Sequence, residues 1–468
     1  MAEIKANLSE KDKNFREFAL NGNMWRVVAE VSLPLMAYQG FMNLFKILDT
    51  IMASHISTDA VSSIAYISQI SYLISAIGTG LSIGGGMKIS EAYGAGDYVL
   101  VKKRVSTIYA ICAAISALVL LMIPFAEFFL RLGGTTDSMI SVGTKYFAVE
   151  LGAITLNFFN SVYIAIERAR GNSKLILRLN IVILVLKLGL TALFVYVLNG
   201  DVVTIAAATL ISQAVFFLFA LRNMSDRASP FGFSIHAISF RKNTALPMLK
   251  TSLPAAAERA AFAYGKLIVN SMCTVYGDST VGALGVSNNI GGFSTSLQNG
   301  FQEGGASIIS QNIGAGKHRR ALDAFKKTLI INIGIGVLFT AIVMLNLDFI
   351  CGIFAGGDEE FRLLIKSVSR YEILGIITLG INAAVMALLY GYGYTKLTLL
   401  LNGARIFVFR VPVLWFLQNF TNLGSESAGV VMLVSNISVG VLAIIAAFFV
   451  VRRIKANYLA NETEGAEK

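Results

Sequence analysis

The sequence predicts an all-α polytopic membrane protein with twelve transmembrane helices, arranged as two pseudo-symmetric lobes of six helices each. Three observations support this fold class: the chain is strongly apolar, its first half recurs in its second half, and its basic residues concentrate in alternate loops. Of the 468 residues, 55% are hydrophobic and only 14% are charged, and the mean hydropathy is +0.67. A helix that crosses a bilayer needs about 20 predominantly apolar residues, and this chain contains one such run after another.

The internal repeat has an offset of 220 positions, which grows to 222 further along the chain. The motif Ser-Leu-Pro recurs, and so do Gly-Ala-Gly and the pattern Lys-Leu-x-Leu-x-Leu-Asn. The matched positions are 32–34 with 252–254, 94–96 with 314–316, and 174–180 with 396–402. The same shift places Lys46 on Lys266. Matches that keep one spacing over such a long stretch indicate that the chain consists of two copies of one half.

Twelve apolar runs are predicted to form the transmembrane helices, at positions 24–53, 59–93, 106–130, 139–166, 175–198, 202–222, 247–276, 279–313, 328–351, 362–394, 397–418 and 426–451. The connections are short except for one that joins the two halves. We therefore expect five regions: a cytoplasmic N-terminal segment (1–23), an N-lobe (24–222), a cytoplasmic linker (223–246), a C-lobe (247–453) and a cytoplasmic tail (454–468).

The distribution of lysine and arginine predicts the orientation in the cell (inner or plasma) membrane. Most of the 39 basic residues fall in segments on the same side as the N-terminus, whereas the opposite loops are mostly acidic. Cytoplasmic loops are enriched in Lys and Arg, so both termini are predicted to be cytoplasmic. This asymmetry accounts for the net charge of +11 without a nucleic-acid partner.

An even number of spans in each half determines how the two copies are related. Six spans return the chain to the same side of the membrane, so the second lobe is expected to repeat the first about an axis along the membrane normal. Two bundles that face each other across a central cleft, with the substrate held near mid-membrane, are the layout of an alternating-access transporter.

Sequence motifs of enzymes are absent, and we expect neither catalytic residues nor a bound metal. Cys112, Cys273 and Cys351 have neither a disulfide-framework spacing nor a metal-ligand spacing. The Gly-Ala-Gly at 314–316, followed by Lys317, resembles a phosphate-binding loop but lacks its first glycine and its final Ser or Thr. We interpret both Gly-Ala-Gly motifs as tight turns that close the second helix of each lobe. No ATP or other cofactor is expected, so the energy should come from an H⁺ or Na⁺ gradient.

Polar residues inside the apolar runs are candidates for the transport site, because ionisable groups in a membrane are costly and usually face a cavity or the bundle interior. In the first span, Gln39, Asn43, Lys46 and Thr50 lie on one helical face with Asp49 beside them. Further candidates are Asn157 in the fourth span, Lys187 and Thr191 in the fifth, Glu258 and Lys266 in the seventh, and Asn288, Asn299 and Glu303 in the eighth. Glu372, Arg405 and Arg410 are further charges in the tenth and eleventh spans.

Simpler interpretations of the same residues stay open. Lys46 and Asp49 can form an ion pair that only neutralises itself, and Glu258 can do the same with Arg259. Asn and Ser side chains of the eighth span can hold helices together. Lys366, Arg410 and Glu372 can lie near span ends and extend their charged groups to the surface.

Several motifs together resemble the multidrug and toxic compound extrusion (MATE) family of transporters. They are the Leu-Pro pair that opens each half, the Asp-Thr at 49–50, the Gly-Ala-Gly after each second helix, the Arg-Gly-Asn-Ser-Lys at 170–174 and the Arg-Val-Pro at 410–412. The resemblance implies twelve helices in two lobes and export of organic, often cationic, compounds in exchange for H⁺ or Na⁺. It also implies that an acidic residue of the first helix, here Asp49, takes part in ion coupling.

The sequence departs from the family pattern at three places. Lys46 stands where many relatives have asparagine. Lys187 and Thr191 fall where an Asn-x-x-x-Asp pattern is common, so the second carboxylate of the N-lobe is missing. Glu258 lies one helical turn earlier than the seventh-helix glutamate of several relatives. These departures weaken the case for a sodium site in the N-lobe and favour protons.

We expect a monomeric secondary antiporter that exports small organic compounds, favouring cationic drug-like ones. Ion-coupling residues would be Asp49, Lys46, Lys187 and Thr191. The residues expected to bind substrate are Gln39, Asn43, Asn157, Glu258, Lys266, Asn288, Asn299 and Glu303. The expected partners are the substrate and membrane lipid. Two alternatives stay open: export of an anionic or zwitterionic metabolite, and a lipid-linked precursor flippase of the same superfamily.

Overall fold

The computed structural model describes residues 6–54, 58–132, 137–226 and 228–459, without the side chains of 45–54, 58–66, 69, 132, 137–139, 141 and 142. The helices of the first half are α1 (Glu10–Asn21), α2 (Met24–Ser54), α3 (Thr58–Ala95), α4 (Tyr98–Leu120), α5 (Ala126–Leu132), α6 (Asp137–Ala169), α7 (Ser173–Ala192) and α8 (Val202–Met224). Those of the second half are α9 (Ala245–Cys273), α10 (Asp278–Gly314), α11 (His318–Leu345), α12 (Leu347–Ala355), α13 (Glu359–Leu374), α14 (Ile376–Gly391), α15 (Thr395–Phe407), α16 (Val411–Phe420) and α17 (Glu426–Ile454).

The twelve predicted spans are present. Among the described residues, eight helices are long and apolar enough to cross a membrane, or nine when the bent pair α13–α14 is one span. The remaining three spans are α2, α9 and α10. These helices carry the predicted polar residues, which lower their hydropathy below that of an ordinary lipid-facing helix. The fold is therefore all-α and polytopic, as the sequence predicts.

Helix starts follow the repeat. Tyr98 and His318, which begin α4 and α11, are 220 positions apart, and Ser173 and Thr395, which begin α7 and α15, are 222 apart. The offset of 220 and the later offset of 222 therefore each relate the start of a helix in the first half to the start of the equivalent helix in the second half. The repeat is structural as well as sequential.

Two span boundaries and two span shapes differ from the prediction. The third and ninth spans, predicted from 106 and 328, belong to helices that begin at Tyr98 and His318, about two to three turns earlier. These extra turns carry basic residues and lie outside the apolar region. In the tenth span the helix axis bends by 42° at Gly375, where a Cβ would lie 2.8 Å from that of Asn436. The eleventh span breaks just before Pro412, because proline has no backbone N–H to donate and its ring clashes with the preceding turn.

Residue contacts divide the chain into two compact units. Unit 1 comprises Met1–Phe18 and Phe41–Ala260, and unit 2 comprises Ala19–Gly40 and Ala261–Lys468. One dividing point falls near the end of α1, and the other two fall inside α2 and inside α9. The first turns of α2 and of α9 therefore pack with the helices of the opposite repeat, while the later turns pack with those of their own repeat.

In unit 1, glycines of α3 allow the first turns of α9 to approach closely. A Cβ at Gly84 would lie 2.4 Å from the backbone nitrogen of Ser252, and one at Gly80 would lie 2.5 Å from that of Ala256. Contacts this short leave no room for a side chain on α3. Small residues that let backbones approach are the usual means by which membrane helices associate.

Unit 2 has the equivalent crossing between α10 and α2. A Cβ at Gly304 would lie 2.2 Å from Oγ of Ser32, and one at Gly300 would lie 2.4 Å from the backbone nitrogen of Met36. A shift of 220 positions relates all four residues to those of the unit 1 crossing. The Ser-Leu-Pro motif that opens each half thus marks the turn of helix that packs on the other half's second helix.

Both Gly-Ala-Gly motifs form tight turns after the second helix of their half, as predicted. Gly96 has φ +79° and Gly316 has φ +73°, a left-handed conformation that glycine adopts without steric cost. In unit 1, Arg16 of α1 donates to the carbonyls of Tyr93 and Gly94 at 3.0 and 2.7 Å. The turn therefore also serves as a hydrogen-bond acceptor for the N-terminal helix.

The Arg-Gly-Asn-Ser-Lys motif has a structural role in unit 1. Arg170 donates to both carboxylate oxygens of Asp12 at 3.1 Å and to Glu167 at 3.2 Å. Gly171, at φ +80°, lies against the Phe15 ring, which a Cβ would approach to 2.3 Å. The segment 1–23, which the sequence describes only as polar, thus contains a helix whose Asp12 and Phe15 are bound by this loop.

The segment between the two halves is attached to α4 in unit 1. The backbone N–H of Ser234 donates to Oγ of Ser106 at 3.1 Å, and that of Ser239 donates to Oγ1 of Thr107 at 3.0 Å. Ser106 and Thr107 are both fully buried. The predicted linker is therefore held in a defined position over these residues.

Gly300→Ala tests the α10–α2 crossing. The new methyl group would overlap the α2 backbone, so we expect the free energy of unfolding to fall by about 1–3 kcal/mol, as for other overpacked sites. Gly334→Ala is the matched control, because a Cβ at this helical glycine meets nothing within 4 Å. Thermal unfolding in detergent measures both. Equal shifts for the two variants would contradict the packing role of Gly300.

Candidate functional site

The polar face of α2 meets that of α10 in unit 2. Gln39 donates from Nε2 to Oε1 of Glu303 at 3.2 Å, and both side chains are partly buried. These residues are 264 positions apart in the sequence and were predicted independently as substrate-binding residues. The structure brings these two together.

The remaining residues of the α2 face lie in unit 1. Asn43 is partly buried, and its Nδ2 has no hydrogen-bond partner among the described residues. Lys46, Asp49 and Thr50 lie on the helical backbone of α2, but their side chains are outside the described part of the chain. The predicted coupling role of Lys46 and Asp49 therefore stays a prediction.

The other unit 1 candidates are distributed over α6, α7 and α9. Thr191 is fully buried, and its hydroxyl donates to the carbonyl of Lys187 one turn earlier, at 2.9 Å. Lys187 itself is partly buried. Asn157 is partly buried and accepts a long contact from Ser161 at 3.5 Å. Glu258 is only 4% exposed, so this α9 carboxyl is inside the protein and not on its surface.

A neighbouring asparagine of the fourth span joins two helices. Asn160 is buried and donates to both the carbonyl and the side-chain oxygen of Gln213, at 3.0 and 2.7 Å. This connects α6 with α8. In the eighth span, Asn288 donates to the carbonyl of Leu284 in its own helix at 2.8 Å, whereas Asn299 is partly buried.

Two cations of unit 2 share one aromatic ring. The Nζ of Lys266 lies 5.6 Å from the centroid of Phe262, and the guanidinium carbon of Arg405 lies 5.4 Å from the same centroid. Lys266 is exposed and Arg405 is partly buried. Cations within about 6 Å of a ring centroid are attracted by the electron density of its face, so Phe262 holds these two basic groups near each other.

Arg410 and Glu372 lie deeper in the same unit. Arg410 is 2% exposed and donates to Oγ of Ser435 at 3.1 Å and to Oδ1 of Asn436 at 3.3 Å. Arg405 donates to the same Asn436 oxygen at 2.6 Å. Glu372 is 6% exposed and accepts a hydrogen bond from Ser287 of α10.

The charges of this region belong together. Arg410, Lys266 and Arg405 each interact electrostatically with the Glu372 carboxylate, and we call these four residues the Glu372 cluster. It contains three cations and one carboxylate. Since a buried charge is costly unless it is paired and hydrogen-bonded, the cluster requires the asparagine and serine partners that surround it.

Sequence reasoning selected only Lys266 from this cluster as a site residue. Glu372, Arg405 and Arg410 were recognised as charges within apolar runs, but nothing in the sequence shows that helices α13, α15 and α16 bring them together. The available signal was the Arg-Val-Pro motif, whose arginine is the most deeply buried of the three cations.

The simpler interpretation holds for charges near the ends of the tenth span. Lys366 pairs with Asp348 at 2.8 Å, and Arg370 pairs with Glu426 at 2.9 Å. All four side chains are exposed. These pairs lie on the surface, where an ion pair contributes about 0–1 kcal/mol, and they need no functional role.

Two segments of the chain, residues 34–193 and 254–416, match the family described as MatE. The gap between the two matched segments contains the junction between the two halves of the internal repeat. Together the segments cover more than half of the chain. The described residues of the α2 face, Glu303 and the Glu372 cluster all lie within these two segments.

The chain is similar to bacterial proteins that are named for multidrug resistance. The chain is 26% identical over 313 residues to the probable multidrug resistance protein YpnP of Bacillus subtilis, covering 64% of this chain and 67% of that protein. It is 21% identical over 415 residues to the probable multidrug resistance protein YoeA of the same organism, covering 86% of this chain and 88% of that protein.

Solved structures share the fold. A crystal structure of MATE in complex with MaL6 superposes with a TM-score of 0.91 at 18% identity, covering 96% of this chain and 100% of that one. A MOP superfamily transporter from Pyrococcus furiosus, described as having a binding pocket of reverse polarity, has a TM-score of 0.89 at 18% identity, covering 96% and 99%. At this identity the likeness establishes the fold.

Proposed function

This chain belongs to the MATE family of membrane transporters, and from that premise we propose that it exports small organic compounds, chiefly organic cations, in exchange for protons. Family membership makes it a multi-pass membrane protein that transports small molecules without a cofactor, and it is not an enzyme. Our proposal adds the substrate class, the coupling ion and a monomer in the cell membrane with both termini in the cytoplasm. Transport proceeds by alternating access.

The observation that carries the proposal is the Gln39–Glu303 contact. A carboxylate in a partly buried position attracts a cation more strongly than it would in water, because the local dielectric constant is lower. Gln39 orients the Glu303 carboxylate, and this carboxylate is the group that would bind an organic ammonium ion. Asn299, one turn before Glu303 on the same helix, adds an amide near this position.

Asp49 is the coupling residue in this proposal. It lies on α2 ten residues after Gln39, about 15 Å along the helix at 1.5 Å per residue. A proton bound or released at Asp49 therefore acts on the helix that also carries a substrate contact. When the substrate and the proton bind to different parts of one helix, the binding of one can affect the binding of the other.

The fifth span favours protons over sodium. Where relatives often have a carboxylate, this chain has Thr191, whose hydroxyl is already bonded to the carbonyl of Lys187. A sodium ion would lose one negative ligand and would be repelled by any lysine ammonium group close to the site. A single carboxylate is sufficient to carry a proton.

Asp49→Asn should abolish exchange, because an amide does not titrate in the physiological range. We expect ethidium efflux in cells to fall at least ten-fold, while expression and thermal unfolding in detergent stay unchanged. Glu426→Gln is the matched control, since this exposed carboxylate forms a surface pair with Arg370, and it should leave efflux intact. Efflux at the wild-type rate in Asp49→Asn would refute the coupling role.

A second candidate function is export of an anionic or zwitterionic metabolite. The Glu372 cluster, with three cations and one carboxylate, supports it, because an excess of positive charge attracts ligands of negative charge. The reverse polarity described for the binding pocket of the Pyrococcus furiosus transporter indicates that this fold accommodates such a change.

The variant Lys46→Ala with Lys266→Ala separates the two functions. If cations are the substrates, removing two positive charges should leave ethidium binding unchanged or a few-fold tighter, and an organic acid should bind weakly to wild type and variant alike. Lys366→Ala, which removes a surface lysine, serves as the control. Loss of acid binding with ethidium binding retained would overturn the cation proposal in favour of the second candidate.

A further inference from the structure

An apolar groove of about 480 Å³ lies in unit 2 along α11, α14 and α17. Its walls are formed by aliphatic and aromatic side chains, among them Leu329, Ile381, Val385, Ile444 and Phe448. We call it the α11–α17 groove. Ile444 is 51% and Phe448 61% exposed, so the groove is open on the outer surface of the helix bundle. In a membrane this surface faces lipid.

One end of the groove is basic. Arg452 and Lys455 line it there, and a second cavity of about 260 Å³ adjoins this end and adds Arg319 and Lys326. The two cavities share Lys455, together with Phe325 and Val451. They therefore form one continuous site with an apolar part and a basic part.

The basic end has excess positive charge. Asp323, the one carboxylate that lines the described part of the site, pairs with Lys327 at 2.9 Å. No other described carboxylate pairs with Lys326, Arg452 or Lys455. Cations held near one another repel, and a bound anion would remove that repulsion.

The position of the basic end corresponds to the membrane surface. It lies where α11 begins, at His318, and where α17 ends, at Ile454. From Lys455 back to Ile444 the helix covers about 16 Å at 1.5 Å per residue, roughly half of a hydrocarbon core of about 30 Å. By counting spans, this is the side that the sequence predicts to be cytoplasmic, where anionic lipids attract basic segments.

We propose that the α11–α17 groove binds an anionic phospholipid. Its phosphate contacts Lys326, Arg452 and Lys455, and one acyl chain lies along Ile381, Ile444 and Phe448. A free phosphate would use only the basic end, and a zwitterionic lipid would bring its own cation to the excess positive charge. Only an anionic lipid matches both parts of the site.

Fluorescence quenching by brominated lipids tests this proposal in bilayers. The two native tryptophans are removed as Trp25→Phe and Trp415→Phe, and a single reporter is introduced as Phe448→Trp in the groove. Phe449→Trp is the matched control, because Phe449 is equally exposed at 61% but does not line the groove. We expect brominated phosphatidylglycerol to quench the reporter at position 448 with about five-fold higher affinity than brominated phosphatidylcholine, and the reporter at 449 with no preference.

Charge variants identify the residues responsible. Lys326→Gln with Lys455→Gln should abolish the roughly five-fold preference at position 448, since basic residues near the membrane surface attract anionic lipids. Arg241→Gln with Lys242→Gln removes two exposed cations from the same predicted side and should leave it unchanged.

Three results would overturn the proposal. The first is an equal preference at positions 448 and 449, and the second is displacement of phosphatidylglycerol by inorganic phosphate at matched ionic strength. The third is a preference that appears only when three carboxylates of the C-terminal tail are removed, as Glu462→Gln, Glu464→Gln and Glu467→Gln. That result would mean that the basic end binds the acidic tail and not a lipid.

Discussion

The structure depends on a close crossing between helices that only small residues permit. In unit 1 the crossing joins Gly84 with Ser252, and in unit 2 it joins Gly304 with Ser32. Lipid tails are as apolar as leucine side chains, so membrane helices gain little from hydrophobic burial and associate through close packing instead. Because the duplication preserved both partners of the crossing, each half packs the opening turns of its first helix against the second helix of the other half.

The two helices that pack with both halves, α2 and α9, also carry polar residues that distinguish them from ordinary lipid-facing spans. α2 carries Gln39, which contacts Glu303, and further along it carries Asp49. A helix whose first turns and last turns belong to different units is well placed to couple events in one unit to the other. The Glu372 cluster, in contrast, lies wholly within unit 2.

Fold and repeat were predictable from the sequence because both depend on features that are local or periodic. Apolar runs define spans, and a constant offset identifies the duplication. The breaks near Gly375 and Arg410, and the assembly of Glu372 with Arg405 and Arg410, depend on packing between helices far apart in the chain. Burial of Asp12 and the packing of Phe15 against Gly171 were equally unpredictable, since a short polar helix gives no signal of the loop that will bind it. Thr191 could be identified as a replacement for a carboxylate, but its bond to the Lys187 carbonyl required the structure.

Transport by purified protein in proteoliposomes, with pH and Na⁺ gradients imposed separately and the membrane potential clamped, tests the central claim most directly. Our account predicts that a pH gradient alone drives accumulation of an organic cation and that a Na⁺ gradient at equal pH on both sides does not. Accumulation that requires Na⁺ at fixed pH would contradict proton coupling. Accumulation that neither gradient stimulates would contradict ion-coupled export itself.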